Sequence, residues 1–81
     1  MPRPRQLSGK EVVSIFEKFG FYEVSQKGSH IKLRRTSVDG SRQTLVVPLH
    51  KQLDVGTIFG LYRQAVQYIA EADLKELFFN E

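Results

Sequence analysis

The sequence predicts an α+β fold: a helix, three antiparallel strands, a second helix and a short third helix. Three observations carry this. Apolar residues recur at helical spacing near residues 12–19 and again near residues 55–66. Between them, Ile31 and Leu33 alternate with His30, Lys32 and Arg34, the period of a half-buried strand. Two turn signals, Gly28-Ser29 and Asp39-Gly40, cut the middle of the chain into strands joined by hairpins. A sheet with its helices on one face is the economical way to bury these apolar positions.

Residues 1–6 contain Pro2, Arg3, Pro4 and Arg5 and read as a flexible basic arm. A single domain follows over residues 7–81. Ser8 and Glu11 form a capping box, and Leu7 with Val12 a hydrophobic staple. Val12, Ile15, Phe16 and Phe19 make the core stripe of a helix over residues 9–19, ended by a left-handed Gly20. Residues 21–26 are a β-prone strand. Gly28-Ser29 suits a type II′ turn, which sets Lys27 opposite His30 and Val24 opposite Leu33. The second strand covers residues 30–36 and the third 43–47, with a loop over 37–42 and Pro48 as the stop. Asp54 caps a second helix bearing Val55, Ile58, Phe59, Tyr62 and Val66. Residues 70–78 form the short third helix, with Leu74, Leu77 and Phe78 on one side.

Charge is unevenly spread. Residues 1–51 carry ten Lys and Arg against four Asp and Glu, and residues 52–81 carry two against five. The basic, strand-rich half suits a polyanionic partner. With no cysteine, a thiolate metal site, a Cys nucleophile and disulfides are excluded, in keeping with a cytoplasmic protein. No apolar run approaches the ~20 residues of a membrane span, so a soluble protein with no membrane partner is expected.

If Thr36 pairs with Gln43, His30 lies opposite residue 49, and His50 sits near the same end of the sheet as Lys27 and Lys51. Two imidazoles among cations suit RNA cleavage. The attacking 2′-hydroxyl must lose a proton, the leaving 5′-oxygen must gain one, and an ordinary histidine pKa of about 6.5 serves both steps. Lys27, Lys32, Arg34 and Lys51 are the candidate RNA-binding residues. His30 is the candidate acid/base residue, presented by Gly28 and Ser29, with His50 a candidate auxiliary. The plainer alternatives are a surface histidine at His30 and a loop-capping one at His50. Two histidines without a third ligand make a poor metal site, so neither metal nor cofactor is expected. Tyr22, Phe21 and Tyr62 are open to two readings, base stacking or packing.

The segments Gly20-Phe21, Lys27-Gly28-Ser29-His30, Val47-Pro48-Leu49-His50, Gly56-Thr57-Ile58 and Tyr62-Arg63-Gln64-Ala65 occur in this order along the chain. From about residue 7 to 78 the sequence thereby resembles the HicA toxin family. The resemblance implies a double-stranded-RNA-binding-domain-like fold. It also implies a ribosome-independent mRNA endoribonuclease, the toxin of a type II toxin–antitoxin system, neutralised by a HicB-type antitoxin. The family's essential histidine falls on His30, Gly28 and Ser29 match its turn, and His50 matches a recurrent position. After Ala65 the family usually has glycine; Val66 stands here, which lets the second helix continue toward Tyr68. The competing readings are a small RNA-binding domain without cleavage and a protein-interaction domain. His30 after Gly-Ser favours the enzyme, because Lys or Arg would serve phosphate binding alone.

Overall fold

The structure, a computed structural model, describes residues 3–80. Helix α1 (Gly9–Glu17) begins at the expected capping box: the Ser8 hydroxyl accepts from Glu11 N at 3.1 Å, and Ser8 N donates to Glu11 Oε1 at 2.9 Å. These bonds hold the Glu11 carboxyl below its usual pKa range. The helix stops two residues earlier than expected, because its last turn tightens. Phe19 N bonds Phe16 O and Gly20 N bonds Glu17 O before Gly20 turns the chain at φ +91°.

Strands β2 (Tyr22–Lys27), β3 (His30–Thr36) and β4 (Arg42–Pro48) form an antiparallel sheet in the order β2-β3-β4, following the two-residue strand β1 (Arg3–Pro4) in the chain. Ile31, Leu33, Leu45 and Val47 point inward and are buried, while His30 and Lys32 are exposed on the opposite face. Two registers differ from expectation. Thr36 pairs with Arg42, not Gln43, so His30 faces Pro48, not Leu49. The loop closes one residue tighter because Ser37 N bonds Ser41 O at 2.8 Å and the Asp39 carboxylate accepts from Ser41 N at 2.9 Å. The Ser37 hydroxyl, which also donates to this carboxylate, and after it the Ser41 bonds draw the Asp39 pKa down to about 2. In β2, a bulge between Glu23 and Ser25 makes Glu23, not Val24, the partner of Leu33.

The bulge has a packing cause. It reverses the in-out alternation, so Phe21 enters the core beside Phe16 and Tyr68 while Tyr22 faces out beside Arg34. Burying a phenylalanine is worth roughly 2–3 kcal/mol, more than one disturbed ladder bond at about 1 kcal/mol.

Helix α2 (Val55–Ala65) is capped by Asp54, whose carboxylate accepts from Thr57 N at 2.7 Å. It does not continue toward Tyr68. Val66 caps it in ordinary right-handed geometry, and Tyr68 N and Ile69 N both fold back onto Ala65 O, which carries Ile69 into the core. Helix α3 (Glu71–Phe78) then buries Leu74 and Phe78, with Leu77 only partly covered. Tyr62 joins the two helices by donating to Glu71 Oε2 at 2.9 Å; burial, then this bond, pushes its pKa up to about 12.

Of the arm expected over residues 1–6, Met1 and Pro2 lie outside the described residues; so does Glu81 at the other end of the expected domain. The rest departs from a free arm. Strand β1 pairs with β5 (Phe79–Asn80), and the Arg5 guanidinium donates to Leu77 O at 2.9 Å while Arg5 N bonds Phe78 O. The end of α3 supplies carbonyls without helical partners, and a cation is favourable there. The result is an α+β fold with three helices and a three-stranded antiparallel sheet, compatible with the double-stranded-RNA-binding-domain-like class.

Candidate active site and nucleic-acid interface

Gly28 has φ +59° and no other residue type has a positive φ among the described residues, which fits the type II′ turn. Lys27 and His30 flank this turn as direct partners, as expected. Two bonds hold the turn, and a third ties the segment behind it to the start of α1. Gln26 Nε2 donates to Gly28 O at 3.1 Å, Leu49 N donates to Ser29 O at 2.6 Å, and Gly9 N donates to His50 O at 2.9 Å. The start of α1, the end of β4 and the turn before His30 are therefore one linked unit.

Gly9 is the tight point of that unit, and its role was hidden in the sequence. A Cβ there would lie 2.2 Å from Pro48 O and 2.6 Å from Leu49 Cα, both backbone atoms. Gly9→Ala is expected to destabilise the domain by about 1–3 kcal/mol through overpacking. Thermal unfolding checks this; a melting curve matching the parent's would show that the segment relaxes freely.

Opposed residues in a ladder share a face. Lys27, His30, Lys32 and Arg34 thus lie together on the outer face, joined by Tyr22 and Arg42, which sequence reasoning did not place there. Their parity could be read only once the bulge and the hairpin register were known. Phe21 and Tyr62 are buried core residues, so among these aromatics Tyr22 alone is available to a ligand.

His50 and Lys51 are exposed but lie beyond the ladder, in the loop leading to α2. Positive charge on His50 helps hold the Asp54 carboxyl below its usual range, after the larger effect of the Thr57 bonds. His50 is therefore near the α2 cap as well as near the His30 end of the sheet. Among the described residues, no three His, Cys, Asp or Glu side chains gather as a metal-holding group. On the helix side of the hairpin, a groove of about 370 Å3 runs between Lys10, Val13, Ser14, Gln26, Ile31 and Leu49.

The outer face can do two things chemically. Its cations can hold a phosphate backbone, and the exposed imidazole of His30 can give or take a proton beside them. No helix is long and apolar enough to cross a membrane among the described residues. Residues 9–66 match the family model described as HicA toxin of bacterial toxin-antitoxin. No curated relative matches the chain.

Proposed function

The chain belongs to the HicA toxin family, and from that premise we propose that it is an mRNA endoribonuclease with His30 as its essential acid/base residue. The observation that carries the proposal is the placement of an exposed His30 at a braced turn, beside Lys27 and in line with Lys32 and Arg34. The reaction is transfer within the RNA backbone. The 2′-oxygen gives up its proton and attacks the adjacent phosphorus, and the 5′-oxygen leaves with a proton. His30 handles a proton at one of these oxygens, Lys27 and Lys32 offset phosphate charge, and His50 is an auxiliary candidate for the second proton.

Purified protein should cut RNA and spare DNA, which lacks the 2′-hydroxyl nucleophile. Histidine proton transfer needs no metal, so cutting should persist in EDTA. RNA bound but left whole would make the chain a binding module; activity lost in EDTA and restored by a divalent ion would replace the histidine mechanism.

Binding to single-stranded RNA should weaken with salt, each phosphate contact contributing about −0.7 to the log–log slope. Lys32→Ala with Arg34→Ala should flatten the slope by roughly 1.4 if each holds one phosphate. An unchanged slope would put the RNA elsewhere.

Control falls to a HicB-type antitoxin acting in the cytoplasm. An inhibitor presenting acidic groups to the basic face would associate quickly and desolvate His30. Hydrogen exchange on the co-expressed pair should show protection of strand β3 and the turn at Gly28 to His30; protection confined to α3 would rule out inhibition by covering the site.

A further inference from the structure

We propose that Tyr22 is a stacking platform for one base of a single-stranded RNA, forming with Arg34 a subsite outside the dinucleotide that is cut. The proposal rests on the ribonuclease reading above and adds the ring that holds the substrate at a distance from His30.

Three observations carry it. Tyr22 is 52% exposed, although a large ring next to the buried Phe21 had a core available to it. The other two tyrosines pack on aromatics, Tyr62 against Phe78 and Phe79 and Tyr68 against Phe21. The bulge at residues 23–25 puts Tyr22 on the face of His30; without it, the hairpin register would have turned the ring inward.

Its neighbours are the second part. Tyr22 is the direct partner of Arg34, whose guanidinium makes no hydrogen bond among the described residues, its buried Nε included. The adjacent Arg35 spends its guanidinium on three protein acceptors. The terminal nitrogens of Arg34, unlike its Nε, are not buried, so they are the donors open to a ligand, and phosphate or base oxygens are the acceptors that suit them. An exposed ring flanked by a guanidinium is how proteins hold unpaired bases without demanding sequence. Bases inside a duplex have no free face to offer, which restricts the occupant to single-stranded RNA.

Spacing places the subsite. His30 and Arg34 are four residues apart on β3, roughly 13 Å at the usual strand rise. Stacked nucleotides advance about 3.4 Å each, so a base on Tyr22 lies beyond the two nucleotides joined by the scissile phosphate. Lys32 lies between, opposite Ser25, where the connecting backbone would pass.

The test uses His30→Ala protein, so that RNA stays whole, and a set of single-stranded oligonucleotides with one abasic position moved along the chain. Tyr22→Ala should weaken binding of the intact oligonucleotide about tenfold, as expected for losing one stacked base, and Tyr22→Phe should retain it. The abasic position that weakens binding with Tyr22 present should have no effect with Tyr22→Ala. Circular dichroism should be unchanged, since the side chain is exposed. Equal affinity of Tyr22→Ala and its parent, or an abasic effect indifferent to Tyr22, would overturn the subsite while leaving the ribonuclease reading intact. Loss of antitoxin binding with RNA affinity unchanged would assign the ring to a protein partner and overturn it too. If protein with Tyr22 and His30 in place neither binds nor cuts RNA, the ribonuclease reading fails and the subsite fails with it.

Discussion

His30→Ala is expected to lower RNA cleavage by about 10²–10⁴-fold, the usual contribution of a positioned acid or base. The fold should survive. The side chain is exposed, and the turn is held by the Gln26 amide on Gly28 O and by backbone bonds of Ser29, Leu49, Gly9 and His50, none of which uses the His30 side chain. Alanine keeps the strand's backbone bonds, so circular dichroism and melting temperature should match the parent. RNA affinity should fall far less than rate, since Lys27, Lys32 and Arg34 remain. The combination separates chemistry from binding, and each is read independently. Cleavage at the parental rate would remove His30 from the mechanism and leave the basic face as a binding surface only. His50→Ala makes the comparison sharper. A smaller loss there would fit an auxiliary role, and no loss would leave His50 to the α2 cap, where Asp54 already feels its charge.

Local chemistry was legible in the sequence. The capping box at Ser8 and Glu11, the left-handed Gly20, the pairing of Lys27 with His30 and the Asp54 cap each depend on residues a few positions apart. What could not be read is the outcome of competition between distant groups. Phe21 entered the core at the expense of regular pairing in β2, and the bulge that resulted carried Tyr22 to the site face. Arg3 and Arg5 look like free cations in sequence, yet the open end of α3, more than seventy residues away, gives Arg5 its acceptor. Gly9 looks like an ordinary helix-start residue until Pro48 and Leu49 are seen pressed against it. Val66 illustrates the converse. The missing glycine suggested a longer helix, but burial of Ile69 ended α2 at Ala65 without needing a left-handed residue. The candidate site divides the same way: His30 and its turn were visible from the motif, whereas membership of the outer face depended on register.

Arg35 is the second residue whose loss should be severe, for a reason opposite to that of His30. It stands one position from Arg34 but faces inward. Its Nε donates to Gln43 Oε1 at 2.7 Å, one terminal nitrogen to Phe19 O at 2.8 Å and the other to Tyr68 O at 2.6 Å. The guanidinium carbon sits 4.8 Å from the centre of the Phe21 ring. One fork thus clasps the exits of α1 and α2 to strands β3 and β4. Hydrogen bonds to a charged donor are worth about 1.5–3 kcal/mol each, and a cation over a ring adds about 0.5–2 kcal/mol. These losses overlap, since carbonyls freed at a half-buried site recover some water. Arg35→Ala should therefore cost about 3 kcal/mol, a large part of the roughly 4–12 kcal/mol available to a domain of this size. In melting temperature that is a fall of roughly 12–24 °C. Arg35→Lys should recover less than half of it, because an ammonium cannot reach three acceptors in a fork. Arg35→Met should recover only what the stem contributes by packing on Phe21. Equal melting of all three variants with the parent would mean that the carbonyls of Phe19 and Tyr68 are as well served by water. At temperatures where Arg35→Ala remains folded, its cleavage rate should be near the parent's, because the clasp lies at the opposite end of β3 from His30.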